Sequence, residues 1–112
     1  MRVLGLDPGI ERLGYAVLET EASEIKALSY GLITTDSKTP RPLRIKQIRD
    51  DLNTVYEKWN PERLAIETLL FAKNVKTAMV VSEVRGVLLL FGEDHSMDIT
   101  EFTPLQVKTA IT

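Results

Sequence analysis

The sequence lacks cysteine, has a single histidine, and contains no apolar run long enough to cross a membrane. Without cysteine, neither disulfides nor thiolate metal sites can form. The first apolar run reaches only Leu6 before the acidic Asp7, whereas a membrane-spanning helix needs about 20 apolar residues. No secretory signal is recognisable. We therefore expect a cytoplasmic protein that makes no membrane contact.

An excess of positive charge is also missing. Fourteen Lys and Arg residues face sixteen Asp and Glu residues, for a formal net charge of −2 at pH 7. This balance is not typical of nucleic-acid binding, although a local basic face can outweigh the net charge. The 112 residues, 44% of them hydrophobic, suit one ordinary domain with its own core. We find no internal repeat and no low-complexity segment.

The chain opens with a short apolar run that ends in a carboxylate, Asp7, and the dipeptide Pro8-Gly9. Such a run predicts a strand that is buried on both faces, and Pro-Gly ends it sharply. Asp7 would then lie at the tip of a core strand, free to meet a ligand. Alternatively Asp7 only shapes the turn, because Asp-Pro and Pro-Gly are common in turns.

Alternating and periodic patterns predict the next three elements. A second strand covers residues 14–19, a polar loop 20–24 and a third strand 25–35, so the first three strands form an antiparallel meander. An amphipathic helix from Pro42 to Trp59 follows, and Asn60-Pro61 stops it. On this helix the charged residues, Arg44 among them, lie mostly off the apolar stripe.

A second carboxylate, Glu67, ends the next apolar run, Arg63–Glu67. Because a helix precedes this strand, the right-handed crossover rule allows it to lie parallel to the first strand and beside it. Neighbouring strands are about 4.8 Å apart, so Asp7 and Glu67 could bind one divalent cation between them. Two-metal phosphodiester cleavage normally needs more acids than these two, and the other acidic residues are interpreted as surface charge.

The last third of the chain predicts a long apolar helix, residues 75–91, and a fifth strand, residues 97–102. Small residues on the helix, Ala78, Ser82 and Gly86, pack either on the sheet of this chain or against a second subunit. His95 is predicted to be exposed, since no other imidazole or thiol is near it in sequence. A further helix begins at Thr103-Pro104, and we expect the chain to be truncated because it stops at Thr112.

Several short motifs occur in a specific order and spacing: Leu4-Gly5-Leu6-Asp7-Pro8-Gly9 with Gly14-Tyr15, Ala65-Ile66-Glu67, Ala72-Lys73-Asn74, Ala78, Arg85-Gly86-Val87 and Gln106-Val107-Lys108. In combination, and over essentially the whole chain, they resemble the RuvC family of Holliday junction resolvases. Members of this family are crossover junction endodeoxyribonucleases of DNA recombination and repair.

The resemblance implies a ribonuclease-H-like α/β fold: a mixed five-stranded sheet of order 3-2-1-4-5, flanked by helices on both sides and lacking the final helices here. It implies a single nuclease domain over residues 1–112, incomplete at its C-terminus. It also implies a homodimer that nicks four-way junction DNA symmetrically with Mg²⁺ or Mn²⁺, alongside the branch-migration proteins RuvA and RuvB.

Asp7 and Glu67 match two of the family's four catalytic, metal-binding acids, and the other two would lie beyond Thr112. We therefore expect the 112-residue chain to be inactive as it stands. Family matches also assign DNA contacts to residues near the site: Leu70, Phe71, Lys73, Asn74 and Lys108. Leu70 or Phe71 would wedge against junction bases, or either could be ordinary core; Lys108 could contact a phosphate or simply be exposed. Lys76 and Arg85 are further possible phosphate contacts.

Other protein classes share parts of this pattern. Actin-like ATPases and sugar kinases open similarly but need a second phosphate loop and a longer chain. A smaller ribonuclease-H-like relative that processes ribosomal RNA precursors also opens with Gly-x-Asp-x-Gly, but lacks the Ala-Lys-Asn and Arg-Gly-Val motifs. The chain could also be a non-catalytic fragment that binds DNA or a partner.

Overall fold

The computed structural model describes residues 1–68 and 75–102, which form five strands and two helices. In chain order these elements are β1 (Arg2–Asp7), β2 (Arg12–Glu21), β3 (Glu24–Thr34), α1 (Arg41–Trp59), β4 (Arg63–Glu67), α2 (Val75–Asp94) and β5 (Asp98–Phe102). Every strand and helix that the sequence predicts within these residues is present. The helix predicted from Thr103-Pro104 lies outside the described residues.

The sheet has the order β3-β2-β1-β4-β5, which confirms the predicted topology. Antiparallel pairing joins β1 to β2 and β2 to β3, while β1 with β4 and β4 with β5 are parallel. The parallel contact between β1 and β4 follows from the α1 crossover. It brings the two strands that end in carboxylates side by side at the centre of the sheet.

The β2–β3 hairpin is longer than its sequence predicts. Pairing continues to Glu21 opposite Glu24, so the turn contains only Ala22 and Ser23. Ala22 adopts a left-handed backbone with φ of 54°, which two-residue hairpin turns require. The sequence did not predict this last part of the pairing, because the residues at both strand ends are polar and an exposed hairpin tip shows no apolar alternation.

Both helices cover the same face of the sheet. Leu4 and Leu6 of β1 and Ile66 of β4 are buried there, together with side chains from α1 and α2: Ile48, Leu52, Val84, Leu88 and Phe91. The opposite face keeps large apolar side chains exposed on β3, including Tyr30 and Leu32. Within the described residues no helix covers this open face, which is also the face of Asp7.

Both ends of α1 are explained by residues at the ends themselves. The helix begins at Arg41, with a proline in its first turn and no side-chain cap on Pro40. It ends at Asn60, whose left-handed backbone (φ 49°, ψ 56°) lets its N–H donate to the Tyr56 carbonyl. Neither described helix is long and apolar enough to cross a membrane.

His95 is packed between the helices, so its predicted exposure is wrong. Its ring stacks on Tyr56 with centroids 3.8 Å apart and meets Phe91 edge-on at 5.0 Å. Its Nε2 lies 2.9 Å from Oδ1 of Asn53 on α1. The turn after α2 folds back over α1, a long-range contact that no local sequence feature announces.

Candidate metal-binding active site

The two carboxylates end adjacent parallel strands. In the β1–β4 register Leu6 pairs with Ile66, so Asp7 and Glu67 are the next residues on neighbouring strands. Successive side chains of a strand point to opposite faces. Because Leu6 and Ile66 are buried under the helices, Asp7 and Glu67 both point to the open face. Asp7 is exposed there and Glu67 is half-buried.

Asp7 and Glu67 interact electrostatically at this edge of the sheet. Burial raises the pKa of the Glu67 carboxyl, and a side-chain hydrogen bond with Asp7 and the Asp7 charge raise it further. Two neighbouring carboxylates form an oxygen-rich site in which the charge of one opposes ionisation of the other. This donor chemistry fits a hard divalent cation. Among the described residues no group of three or more His, Cys, Asp or Glu side chains could hold a metal ion. The described part of the chain therefore supplies two metal ligands at this site, Asp7 and Glu67.

A glycine keeps the other side of Asp7 open. Gly14 of β2 pairs with Asp7, and a Cβ at this glycine would lie 3.5 Å from the Asp7 Cβ. That distance allows an alanine, but a longer side chain would extend over the carboxylate. Sequence reasoning noted Gly14 only as part of a family motif and missed this steric role.

The turn after Asp7 is tight, and a hydrogen bond from Thr35 holds it in place. A Cβ on Gly9 would be 2.3 Å from the Arg12 carbonyl oxygen, so only glycine fits. Thr35 ties this turn to the end of β3: its hydroxyl donates to the Ile10 carbonyl at 2.5 Å. Arg44 of α1 donates from Nε to the same hydroxyl oxygen at 2.9 Å.

The burial of Arg44 corrects the expectation that it is a solvated charge of α1. Only 8% of the residue is exposed, and its guanidinium reaches Thr35 at the end of β3. One guanidinium nitrogen, Nη2, has no hydrogen-bond partner within the described residues. No sequence signal marks Arg44, since its position off the apolar stripe is that of a surface residue.

The end of β4 is tied to its other neighbour, β5. The Thr68 N–H donates to the Phe102 carbonyl at 2.6 Å, which extends the ladder one residue beyond Glu67. Arg85 of α2 forms an ion pair with Glu101 of β5. Arg85 therefore has an internal partner and braces the sheet edge, whereas the sequence suggested a phosphate contact. Lys76 is exposed at the start of α2.

The residues predicted to contact DNA, Leu70, Phe71, Lys73, Asn74 and Lys108, all lie outside the described residues.

An outward face of α2 is available for a partner. Ser82 and Gly86 are exposed, and a Cβ on Gly86 would meet nothing within 4 Å. Met79 is 60% exposed and Leu90 is 59% exposed on the same helix. The small residues Ser82 and Gly86 therefore do not pack on the sheet within the described residues.

Comparison with known proteins identifies relatives over the whole chain. A family model described as crossover junction endodeoxyribonuclease RuvC matches residues 3–112. Curated relatives of that description from Brevibacillus brevis and Finegoldia magna are 42% and 45% identical, over 112 and 111 residues, and the chain covers 68% of each. The structure of Thermus thermophilus RuvC in complex with a Holliday junction substrate matches 98% of this chain and 70% of that one, with a TM-score of 0.91 and 27% identity.

Proposed function

The chain belongs to the RuvC family of crossover junction endodeoxyribonucleases, and we propose that it binds four-way DNA junctions. The observation that carries this proposal is the adjacency of Asp7 and Glu67 at the ends of parallel β1 and β4. The Thermus relative of the same fold was solved with a Holliday junction bound. Asp7 and Glu67 are accordingly proposed as catalytic residues of phosphodiester hydrolysis.

We propose that Asp7 and Glu67 hold Mg²⁺, or Mn²⁺ in its place, through their carboxylate oxygens. When bound, divalent ions in such sites activate water and stabilise the leaving oxygen. The protein would contribute two carboxylate ligands on rigid strands, and any proton held by Glu67 would have to leave for a cation to bind. Cation affinity should therefore rise with pH, because the Glu67 carboxyl must lose its proton to become a ligand.

The DNA contacts carried over from the family remain proposals. Leu70 or Phe71 would insert against bases at the exchange point, while Lys73, Asn74 and Lys108 would contact the phosphate backbone. All five lie near the two strand ends in sequence or in the family's pattern. The proposed cellular setting is cytoplasmic, with RuvA and RuvB as partners.

We further propose a homodimer built on α2. Its exposed apolar and small side chains, with Met79 and Gly86 among them, offer the close backbone approach that a helix pair needs. A two-fold dimer would present two carboxylate sites to a junction that is itself two-fold symmetric. This arrangement explains symmetric nicking of opposed strands.

Binding without cleavage is the second candidate for the 112-residue chain itself. The observation that favours it is that only two carboxylates meet within the described residues, whereas two-metal hydrolysis draws on more. We expect this chain to bind a junction without nicking it, and a version extended to the length of its relatives to nick symmetrically. No observation favours the processing of ribosomal RNA precursors.

The test combines a cation titration with a junction assay. Electron paramagnetic resonance with Mn²⁺ should show binding to the wild-type chain and about tenfold weaker binding to Asp7→Asn. Asp51→Asn, a change at an exposed acid of α1, serves as the matched control. In the extended protein Asp7→Asn should abolish nicking of a synthetic four-way junction with Mg²⁺ and keep binding.

Two outcomes would contradict the proposal. Retained nicking by the extended Asp7→Asn protein would remove Asp7 from the mechanism. Symmetric nicking by the 112-residue chain would show that Asp7 and Glu67 suffice without further acids.

A further inference from the structure

A cavity of about 530 Å³ opens next to the candidate active site. One wall is the β1–β2 turn and the first residue of β2, from Gly9 to Arg12, and the other is the start of α2. Its volume falls within the range of about 300–1,000 Å³ that is usual for small-molecule sites. No function assigned so far uses it.

The turn wall of the cavity is preformed. Gly9 closes the turn so tightly that no side chain fits there, and the Thr35 hydroxyl holds the Ile10 carbonyl from behind. Arg44 in turn fixes that hydroxyl. A wall held by partly buried hydrogen bonds keeps its shape before a ligand arrives, which lowers the entropy lost on binding.

The lining combines an aliphatic floor with a charged rim. Ile10, Val80 and Val81 supply apolar surface, while Arg12 and Lys76 carry positive charge. Among the described lining residues Glu11 is the one acid, so these three charged groups sum to one positive charge. Aliphatic surface suits the flat face of a base, and the cations suit the phosphate that accompanies it.

The location points to the DNA strand that is being cut. The carboxylates lie on the open side of the β1 tip, and the cavity lies on the helix-covered side of the same tip. A strand that crosses this tip would place a phosphate at Asp7 and Glu67 and turn a neighbouring base toward the cavity. Enzymes that work on nucleic acid unstack a base most readily where stacking is already interrupted, as at an exchange point.

We propose that this cavity holds one unstacked nucleobase of the junction strand whose phosphate lies at Asp7 and Glu67, with Arg12 and Lys76 on its backbone. This inference rests on the proposed junction binding. Glu11 is placed to accept a hydrogen bond from an exocyclic amino group, as acidic side chains accept from cytosine N4. The cavity would thus contribute to the choice of cleavage position.

The experiment uses a synthetic four-way junction with 2-aminopurine placed at the exchange point, in each strand in turn, in a buffer free of divalent cations. Fluorescence anisotropy measures junction binding, and 2-aminopurine emission measures unstacking. The emission should rise about twofold or more at one position when wild-type protein saturates the junction. Aliphatic lining does not quench the extruded base. Val80→Phe, which fills the cavity, should abolish the rise and keep the affinity within about threefold, since backbone contacts dominate affinity.

Val75→Phe is the matched control, because Val75 is on the same helix, is 75% exposed and does not line the cavity. Circular dichroism checks that the variants are folded. If Val80→Phe does not fold, the surface variants Lys76→Gln and Arg12→Gln test the proposal instead. Each should at least halve the rise in 2-aminopurine emission at saturation. Lys46→Gln on α1 is their control and should behave as wild type.

The outcomes separate this inference from the function on which it rests. Junction binding without any rise in emission, or a full rise with Val80→Phe or with both surface variants, overturns the cavity assignment and leaves junction binding intact. An absence of junction binding by the wild-type protein overturns the proposed function, and the cavity assignment with it.

Discussion

At the scale of single residues, the same chemical group behaves differently at two neighbouring strand ends. Asp7 is exposed, whereas Glu67 is half-buried and shares a hydrogen bond with Asp7. Burial and the neighbouring acid therefore raise the pKa of Glu67. A carboxyl that readily exchanges its proton for a cation is suited to a metal-dependent site.

Asp7→Asn should lower the pKa of Glu67. The substitution removes the Asp7 charge and lets an amide donate to the ionised Glu67 carboxylate, so that only burial still opposes ionisation. A carbon-detected NMR titration of the Glu67 carboxyl in chelator-treated buffer measures the change. An unchanged Glu67 pKa would show that the two side chains do not interact, and Asp51→Asn should have no effect.

The same substitution should change how stability depends on pH. A carboxyl with a raised pKa binds its proton more tightly in the folded state. The contribution of Glu67 to the free energy of unfolding is therefore fully present below the ordinary glutamate pKa and is lost as pH rises through the raised value. In Asp7→Asn this loss should shrink, as urea unfolding over the acidic range would show.

At the scale of elements, α2 carries two glycines in opposite environments. A Cβ on Gly92 would lie 2.8 Å from side-chain carbons of both Leu64 and Ile99, whereas one on Gly86 would meet nothing within 4 Å. Gly92 is thus the point at which α2 approaches the sheet, and Gly86 belongs to its outward face.

Alanine substitutions should separate these two roles. Gly86→Ala should stabilise the protein by up to about 1 kcal/mol, because alanine favours helix over glycine. Gly92→Ala gains the same preference but overpacks the core, so it should be less stable than Gly86→Ala by about 1–3 kcal/mol. Urea unfolding of both variants measures the difference, and equal stabilities would contradict the close helix–sheet contact.

The sole histidine adds to the contact between α1 and α2. His95 stacks on Tyr56 and bonds Asn53, so it joins the end of α2 to the middle of α1.

His95→Ala should destabilise the protein by about 1–2 kcal/mol, since it loses an aromatic pair and a hydrogen bond. Asn53→Ala removes only the hydrogen bond and should cost less. Thermal unfolding of the two variants tests this order, and an Asn53→Ala loss equal to or larger than the His95→Ala loss would assign the contact to the hydrogen bond alone.

At the scale of the whole molecule, the two faces of the sheet differ in what covers them. One is covered by both helices and holds the core, while the other carries the two carboxylates and exposed apolar side chains such as Tyr30. The outward side of α2 adds a third apolar surface. A molecule with these surfaces is expected to work in an assembly.

Met79→Glu should weaken the proposed dimer by about tenfold or more, because it buries a charge in an apolar helix contact. Sedimentation equilibrium gives the dimer dissociation constant. Leu43→Glu on α1, a change at a position of similar exposure (52%), is the control. Equal dissociation constants for the two variants would exclude Met79 from the interface.

Residue patterns by themselves predicted the meander of β1 to β3 and the parallel position of β4 that brings Asp7 beside Glu67. Apolar runs, one amphipathic helix and the handedness of the crossover are local or topological signals. The full strand order was predicted from the family motifs, which needed only residue identity and spacing. The catalytic role of the pair remains a proposal that both sequence and geometry support.

Only the tertiary structure decided the properties that depend on distant neighbours. The burial of Arg44, the packing of His95, the raised pKa of Glu67 and the cavity beside Asp7 each arise where separate elements meet. Local sequence cannot specify them, because hydrogen bonding, desolvation and cavity shape are set by which side chains the fold brings together, often from residues far apart in the chain.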